Sequence, residues 1–412
     1  MHHDHDLVIV GGGPAGISTA LHLQRAAPAL AERTVVLEKK RYPRDKYCAG
    51  AVAARGLRIL DELGVRPEVP SVPFDTMSLR LPQCERTVRD EELGVVVRRL
   101  AFDEALARSA MERGIDVRQD TPVRAVEVRD DGVRVHTGGG VITAKAVVGA
   151  DGVSGVVRRT AGGFEAPTLR AQVVEVDTEP LDDDPERSTL LFDLSRHDLA
   201  GYIWDFPTLV DGEEKWCRGV YAITTLGPDG VRRRLEAYLR DKGLDPSRYR
   251  YKQFAERGFR PDTAISRPRV LLVGEAAGID IATGEGIAQA LEYGELAGPF
   301  LSRAFEQGDL GFSQWLDHVR SSTAGRRMRL RHAAYRMYFG PERTAAERFL
   351  GASPEVVRLC SRHFAGLPQR PSTLARVLGG WSLPMALHAP SALLRSATGR
   401  DVLAPIARVD DD

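Results

Sequence analysis

The residues best suited to chemistry begin with three glycines. Gly11, Gly13 and Gly16 follow the apolar run Leu7-Val8-Ile9-Val10 in GxGxxG spacing, with Pro14 and Ala15 between them. In a strand–turn–helix, Gly11 permits the tight turn and Gly13 leaves room for a pyrophosphate. Gly16 lets helix and strand pack closely. The helix start then aims backbone N–H groups at phosphate. A second apolar run, Thr34-Val35-Val36-Leu37, ends on Glu38. An acid at that point accepts hydrogen bonds from a ribose 2′-OH, which fits the adenosine of FAD or NAD and not a 2′-phosphate.

Far along the chain the same kind of element recurs. Val270-Leu271-Leu272-Val273 enters Gly274-Glu275-Ala276-Ala277-Gly278, and Gly284-Glu285-Gly286 opens a helix at Ile287. Ala144 to Gly149 enters Ala150-Asp151-Gly152, with Ser154 and Arg158 beyond. A helix N-terminus after Gly286 can stabilise a pyrophosphate or the electron-rich edge of a reduced flavin. Glu275 is expected near the ribityl or pyrophosphate portion. Elements so far apart in sequence suggest one large cofactor, FAD, held by a discontinuous domain. The chemistry expected is redox.

The bulk composition leaves the field clear for that reading. The 412 residues are enough for two or three structural units. Lys+Arg and Asp+Glu are both 57, so no global field points to nucleic acid. Cys48, Cys84, Cys217 and Cys360 show neither CxxC nor a tight Cys/His cluster, and no metal site or disulfide framework is expected. His2, His3 and His5 flank Asp4 and read as a frayed terminus before a metal tract. No apolar run is long enough to span a membrane, and no signal peptide precedes the first strand. The expected setting is the cytoplasm or the cytoplasmic face of a membrane.

The loop from Lys39 to Gly50 combines charge with one proline and one glycine. It could wall the flavin, with Lys46 pairing a flavin or substrate phosphate or simply solvated. Cys48 could line the isoalloxazine edge, assist protonation or fill a small buried gap. Residues 71–97 and about 165–262 look strand-rich, as in Ala171 to Val176, Ser188 to Phe192 and Trp216 to Ile223. They are expected to build an antiparallel sheet over the flavin. Tyr202, Trp204 and Phe206 alternate, so their side chains share one face, and Pro207 is expected to end that strand. Such a wall suits a long apolar substrate or a sheet core, with Trp216 and Tyr221 as further wall residues. Between Thr323 and Leu350 seven arginines (Arg326, Arg327, Arg329, Arg331, Arg336, Arg343, Arg348) face only Glu342 and Glu347 in a helical reading. They could guide a diphosphate or phospholipid headgroup, touch an anionic membrane, or form internal salt bridges. The apolar stretch from Leu378 to Leu394 is broken by glycine and proline and could touch a membrane or cover the pocket.

Together these segments resemble the FAD superfamily of aromatic hydroxylases, flavin-dependent halogenases and geranylgeranyl reductases. Arg99-Leu100-Ala101-Phe102-Asp103 matches an R-x-x-F-D pattern whose arginine contacts FAD in that superfamily, and Gly274 to Gly278 match its G-D-A-A-G element with Glu275 for Asp. Ala282 stands where the family commonly has proline. Two segments are similar to the geranylgeranyl reductase-like branch. Arg41 to Gly50 looks like its P-R-D-K-x-C-G-G loop with Ala49 for the first glycine, and Gly201 to Pro207 looks like its Y-x-W-x-F-P stretch. The halogenase signature W-x-W-x-I-P is departed from at Tyr202 and Phe206.

The resemblance implies an α/β, Rossmann-like FAD-binding domain with an antiparallel-sheet substrate domain and a C-terminal helical region. We assign 1–70, 98–160 and 264–300 to the first, 71–97 and 161–263 to the second, and 301–412 to the third. The cofactor is expected on Gly11, Gly13, Pro14, Ala15, Gly16, Glu38, Lys39, Lys46, Cys48, Ala49, Arg99, Asp151, Gly274, Glu275, Gly284, Gly286 and Ile287. The implied activity is hydride transfer from flavin N5 to a carbon–carbon double bond of a prenyl chain or related hydrophobic metabolite. Cys48, Tyr202 or an ordered water would supply the proton, and Trp204 would complete the catalytic surface. No second GxGxxG is visible for a nicotinamide, so NAD(P)H would bind transiently or a small carrier or donor protein would reduce the flavin. The alternative is a flavin-dependent monooxygenase or halogenase on a natural-product intermediate, and a flavin-bearing binding protein without turnover is a third reading.

Overall fold

The computed structural model describes residues 3–164, 169–223 and 227–379. Residues 380–394 of the apolar C-terminal stretch, and His2, lie outside them.

The short runs of β-branched and aliphatic residues near the N-terminus assemble as expected for a parallel sheet buried on both faces. The strand order is Ser266–Arg267, Val270–Leu272, Gly140–Gly149, His5–Val10, Thr34–Leu37 and Asp116–Arg118, with Val123–Val128 and Val133–Thr137 attached beside Gly140–Gly149. Val8 pairs in parallel with Val35 on one side and Val147 on the other. Helices Pro14–Ala26 and Ile287–Gln307 pack together, and two small residues make that approach close. A Cβ on Gly294 or Gly298 would meet Ser18 or His22 at 2.2 and 2.6 Å.

A second sheet runs Lys252–Arg257, Arg170–Thr178, Glu213–Ala222, Gly201–Val210, Thr189–Asp193, Ser71–Leu81, Cys84–Val97, Ala51–Ala53. It departs from a purely antiparallel sheet at one place, where Thr189–Asp193 pairs in parallel with Ser71–Leu81. Its edge strand Ala51–Ala53 comes from within the 1–70 range assigned to the cofactor unit. Pro207 does not end its strand, which continues to Val210 with Pro207 opposite Trp216. The ladder to Thr189–Asp193 is over by Asp205, so beyond it the chain behaves as an edge, where proline is tolerated.

The period of two sorts this sheet into two faces. Tyr202, Trp204, Phe206, Cys217 and Tyr221 join one apolar cluster with Phe74, Phe192 and Phe364. Ile203, Val220 and Ala222 join another, under the helix Gly227–Asp241. Trp216 falls on that second side. Arg218 lies over its ring and pairs with Asp205 and Asp184, both at 2.7 Å. Trp216 is therefore not a pocket wall.

The arginine-rich segment forms the helices Thr323–Tyr338 and Arg343–Gly351. Three of its guanidiniums turn inward, Arg327 to Glu292, Arg331 to Asp280 (2.7 Å) and Arg343 to Glu347 (2.8 Å). Arg55, 1% exposed, joins Glu285, Glu292 (3.1 Å) and the Phe364 carbonyl. Removing one partner from such a buried set leaves uncompensated charge. The substitution Arg55→Met should cost about 3–5 kcal/mol in urea unfolding. A loss under about 1 kcal/mol would mean the network is dispensable.

Candidate functional site

A single cavity of about 810 Å³ is lined from both sheets. Its first end is built on the opening strand–turn–helix. Gly13 caps Pro14–Ala26, whose first turn has neither an acid nor a side-chain cap, so its leading N–H groups are left for an anion. A Cβ on Gly13 would meet nothing nearer than Arg44 Nη2 at 3.7 Å and Arg99 Nη2 at 4.0 Å. The missing side chain thus opens space flanked by two guanidiniums. Asp103 holds both, accepting from Arg99 at 2.6 and 2.8 Å and pairing with Arg44 Nη1 at 3.0 Å. Glu38 accepts from the N–H of Gly12 (3.1 Å) and of Lys40 (3.0 Å), with Arg44 Nε 3.2 Å away. A carboxylate has about four acceptor positions, so room remains for ribose hydroxyls.

Gly16 and Gly274 do not line the cavity and act by packing instead. A Cβ on Gly16 would lie 1.9 Å from the Gly11 carbonyl oxygen, and one on Gly274 would lie 2.6 Å from Ala15 Cβ. The other sequence-predicted cofactor residues (Gly11, Pro14, Ala15, Lys39, Lys46, Cys48, Ala49, Asp151, Glu275, Gly284, Gly286, Ile287) all line it. Lys46 Nζ stands 3.5 Å from Glu275 Oε2, and both residues line the cavity. Asp151 accepts from the Val157 N–H at 3.0 Å while its other oxygen has no partner among the described residues.

The far end is apolar. Tyr202, Trp204, Phe206 and Tyr221 line it together with Phe192, Phe254 and Phe364. Tyr202 and Tyr221 stack at 5.0 Å, and Phe192 meets Phe206 edge-on at 5.1 Å. Tyr202 donates its hydroxyl proton to the Thr283 carbonyl at 2.5 Å. Burial pushes that phenol well above its ordinary pKa. Burial likewise pushes the Cys48 thiol up, against the pull of Arg99 and Lys46. Both groups hold their protons at neutral pH.

Sequence reasoning missed several residues. Arg44 stands in the P-R-D-K-x-C-G-G-like loop but was given no role there, and Phe192 and Phe364 come from distant elements. Glu256 also lines the cavity, although a glutamate in a strand reads as solvent-facing.

A phosphate-accepting cradle, an acid for ribose and an apolar chamber in one cavity define a site for a dinucleotide redox cofactor. The family model described as FAD binding domain matches residues 4–287, and the chain belongs to that family. It is an FAD-dependent oxidoreductase, and its relatives extend into the geranylgeranyl reductase-like group. It is 26% identical over 338 residues to digeranylgeranylglycerophospholipid reductase 2 of Methanosphaera stadtmanae, covering 76% of this chain and 82% of that one. It is 28% identical over 334 residues to the protein of the same name from Methanothermobacter thermautotrophicus, covering 74% and 79%. The fold is similar to that of a geranylgeranyl bacteriochlorophyll reductase-like protein of Thermoplasma acidophilum (TM-score 0.73, 20% identity, 92% and 99% covered). It is also similar to that of a flavin-dependent brominase (TM-score 0.69, 16% identity, 97% and 100% covered).

The two glycines separate binding from folding. Gly13→Ala should weaken FAD binding on the order of 10-fold or more, a loss of about 1.4 kcal/mol or more, with the apoprotein's melting temperature lowered only slightly. Gly16→Ala should lower that melting temperature itself. Equal behaviour of the two variants, in flavin titration and thermal unfolding, would contradict the assignment.

Proposed function

We propose that the protein reduces carbon–carbon double bonds of a prenyl chain or related hydrophobic metabolite. The observation that carries this reading is that one cavity is lined both by the proposed pyrophosphate cradle and by an aromatic chamber. A prenyl tail offers no hydrogen bonds, so a site must recognise it by apolar shape. Tyr202, Trp204, Phe206 and Tyr221 supply that wall. The two reductases named above, with the name digeranylgeranylglycerophospholipid reductase, favour a prenyl lipid as substrate.

The cradle of Gly11, Gly13, Arg44, Arg99 and the first turn of Pro14–Ala26 would hold the pyrophosphate, with Glu38 on the ribose. Gly284, Gly286 and Ile287, at the start of Ile287–Gln307, would border the flavin. Glu285 lies within that loop, but its charge is met by Arg55 and not left to the cofactor. Reduced flavin supplies hydride when bound. The chain's own work is to press one alkene carbon toward that donor, exclude water, and deliver a proton to the other carbon. An isolated alkene is a poor hydride acceptor, so placement and coupled protonation carry most of the catalysis. NAD(P)H, a small carrier or a donor protein would restore the electrons. A contact with the cytoplasmic membrane face would let a lipid substrate enter. No described helix is long and apolar enough to cross a membrane.

The test is anaerobic. Reduced protein mixed with geranylgeranyl diphosphate or an unsaturated prenyl lipid should become oxidised as the product gains two hydrogens. Phe206→Ala should raise KM for the prenyl substrate about 10-fold or more while flavin binding stays as in the wild type. A flavin that stays reduced until oxygen enters, with an oxygenated or halogenated product, would replace this reading by the oxygen-dependent one.

A further inference from the structure

A carboxyl beside the aromatic chamber belongs neither to the phosphate cradle nor to an ion pair among the described residues. Glu256 lies on the strand Lys252–Arg257, two residues from Phe254, and both line the chamber. It is 9% exposed, and its Oε2 is buried with no hydrogen-bond partner among the described residues. A Cβ built on Gly284 would lie 3.0 Å from that oxygen, 2.8 Å from the Tyr221 ring and 3.3 Å from the Tyr202 hydroxyl. The carboxyl therefore opens onto the small volume shared by the two stacked tyrosines and the glycine loop expected to border the flavin.

We propose that Glu256 is the general acid that protonates the alkene, an assignment that rests on the prenyl-reductase reading. The balance is simple. The π bond breaks as hydride from the reduced flavin forms a C–H bond at one carbon. The electron pair left at the other carbon takes the Glu256 proton. The flavin is oxidised by two electrons, and the carboxylate regains its proton from water once the product has gone.

The neighbours explain why this carboxyl keeps its proton until then. Burial first, and next the Glu275 carboxylate, push it well above the ordinary carboxylate range. Asp280 and Glu175 act in the same direction, and Lys46 opposes them. Lys46 is engaged by Glu275 at 3.5 Å. Tyr202 and Tyr221 face the carboxyl as neutral phenols, held at the Thr283 and Ile281 carbonyls. A neutral carboxyl also suits an apolar chamber, where a bare carboxylate would carry a heavy desolvation cost.

The competing donors are less apt. Cys48 is a weaker acid raised further by burial. Tyr202 has committed its proton to a carbonyl. Glu175, pushed by burial up to about 7, sits behind Cys48, whose N–H it accepts at 3.2 Å, and does not line the cavity.

The experiment uses the FAD-loaded protein and the variants Glu256→Gln and Glu256→Asp. In the wild type, an infrared band of a protonated carboxyl should persist at neutral pH and vanish in Glu256→Gln. Flavin binding and flavin reduction should be unchanged in both variants. Anaerobic reoxidation by the prenyl substrate should slow roughly 10²-fold or more in Glu256→Gln and recover in part in Glu256→Asp. The wild-type rate should fall as pH rises through the raised carboxyl pKa, because the acid form is the active one, and Glu256→Gln should lose that limb. A wild type that reduces prenyl alkenes while Glu256→Gln keeps its rate and pH profile overturns the assignment alone. A wild type inert toward every prenyl alkene overturns the reductase reading, and this role with it.

Discussion

The site depends on a buried guanidinium. Arg55, on the helix Ala54–Glu62, reaches Glu285 in the glycine loop, Glu292 on the helix that follows, and the Phe364 carbonyl of a C-terminal helix. Gly366 exists there because a Cβ would strike Arg55 Cβ at 2.7 Å. One side chain thus fixes the glycine loop and the helix whose Phe364 ring lines the aromatic chamber. Arg327 on Glu292 and Arg331 on Asp280 extend the tie into the C-terminal region. Burying so many charges is costly unless each is matched, and the matching is what makes the arrangement specific.

With that frame in place, the cavity divides by polarity. One end offers amide N–H groups and two guanidiniums held in register by Asp103, a geometry for phosphate oxygens. The other offers aromatic faces, with Glu256 as the carboxyl opening onto them. Lys46 and Glu275 also line the cavity and pair with each other. A reaction that moves a hydride and a proton onto an apolar chain needs this division, because the charged handle and the reacting carbons must sit in different solvents. Glu256 belongs to the apolar side by its burial beside Tyr202 and Tyr221, and Glu275 to the polar side by its pairing with Lys46.

Much of this was legible in the sequence where local pattern determines the structure. The strand–glycine–helix units, Glu38 and the R-x-x-F-D arginine are short-range signals, and the structure brings all three to one cavity. Alternation put Tyr202, Trp204 and Phe206 on one face correctly. The same rule would have removed Trp216, since a spacing of five from Tyr221 turns the two to opposite faces. Arg327 and Arg331, four apart on a helix, were readable as one inward stripe had their acidic partners been known. Those partners, Glu292 and Asp280, lie in other elements. Glu256 and Phe364 were hidden for the same reason, because only the tertiary fold brings them to the cavity.

The most direct test of the central claim, that one cavity holds both FAD and a prenyl chain, is a crystal structure of the FAD-loaded protein with a polyprenyl diphosphate bound. The account expects the pyrophosphate of FAD between Gly13, Arg44 and Arg99. It expects the flavin ring beside Gly284 and Gly286, and prenyl carbons between that ring and the Tyr202–Trp204–Phe206 face. A flavin ring that fills the aromatic chamber itself, leaving no volume for an alkene beside Glu256, would contradict it.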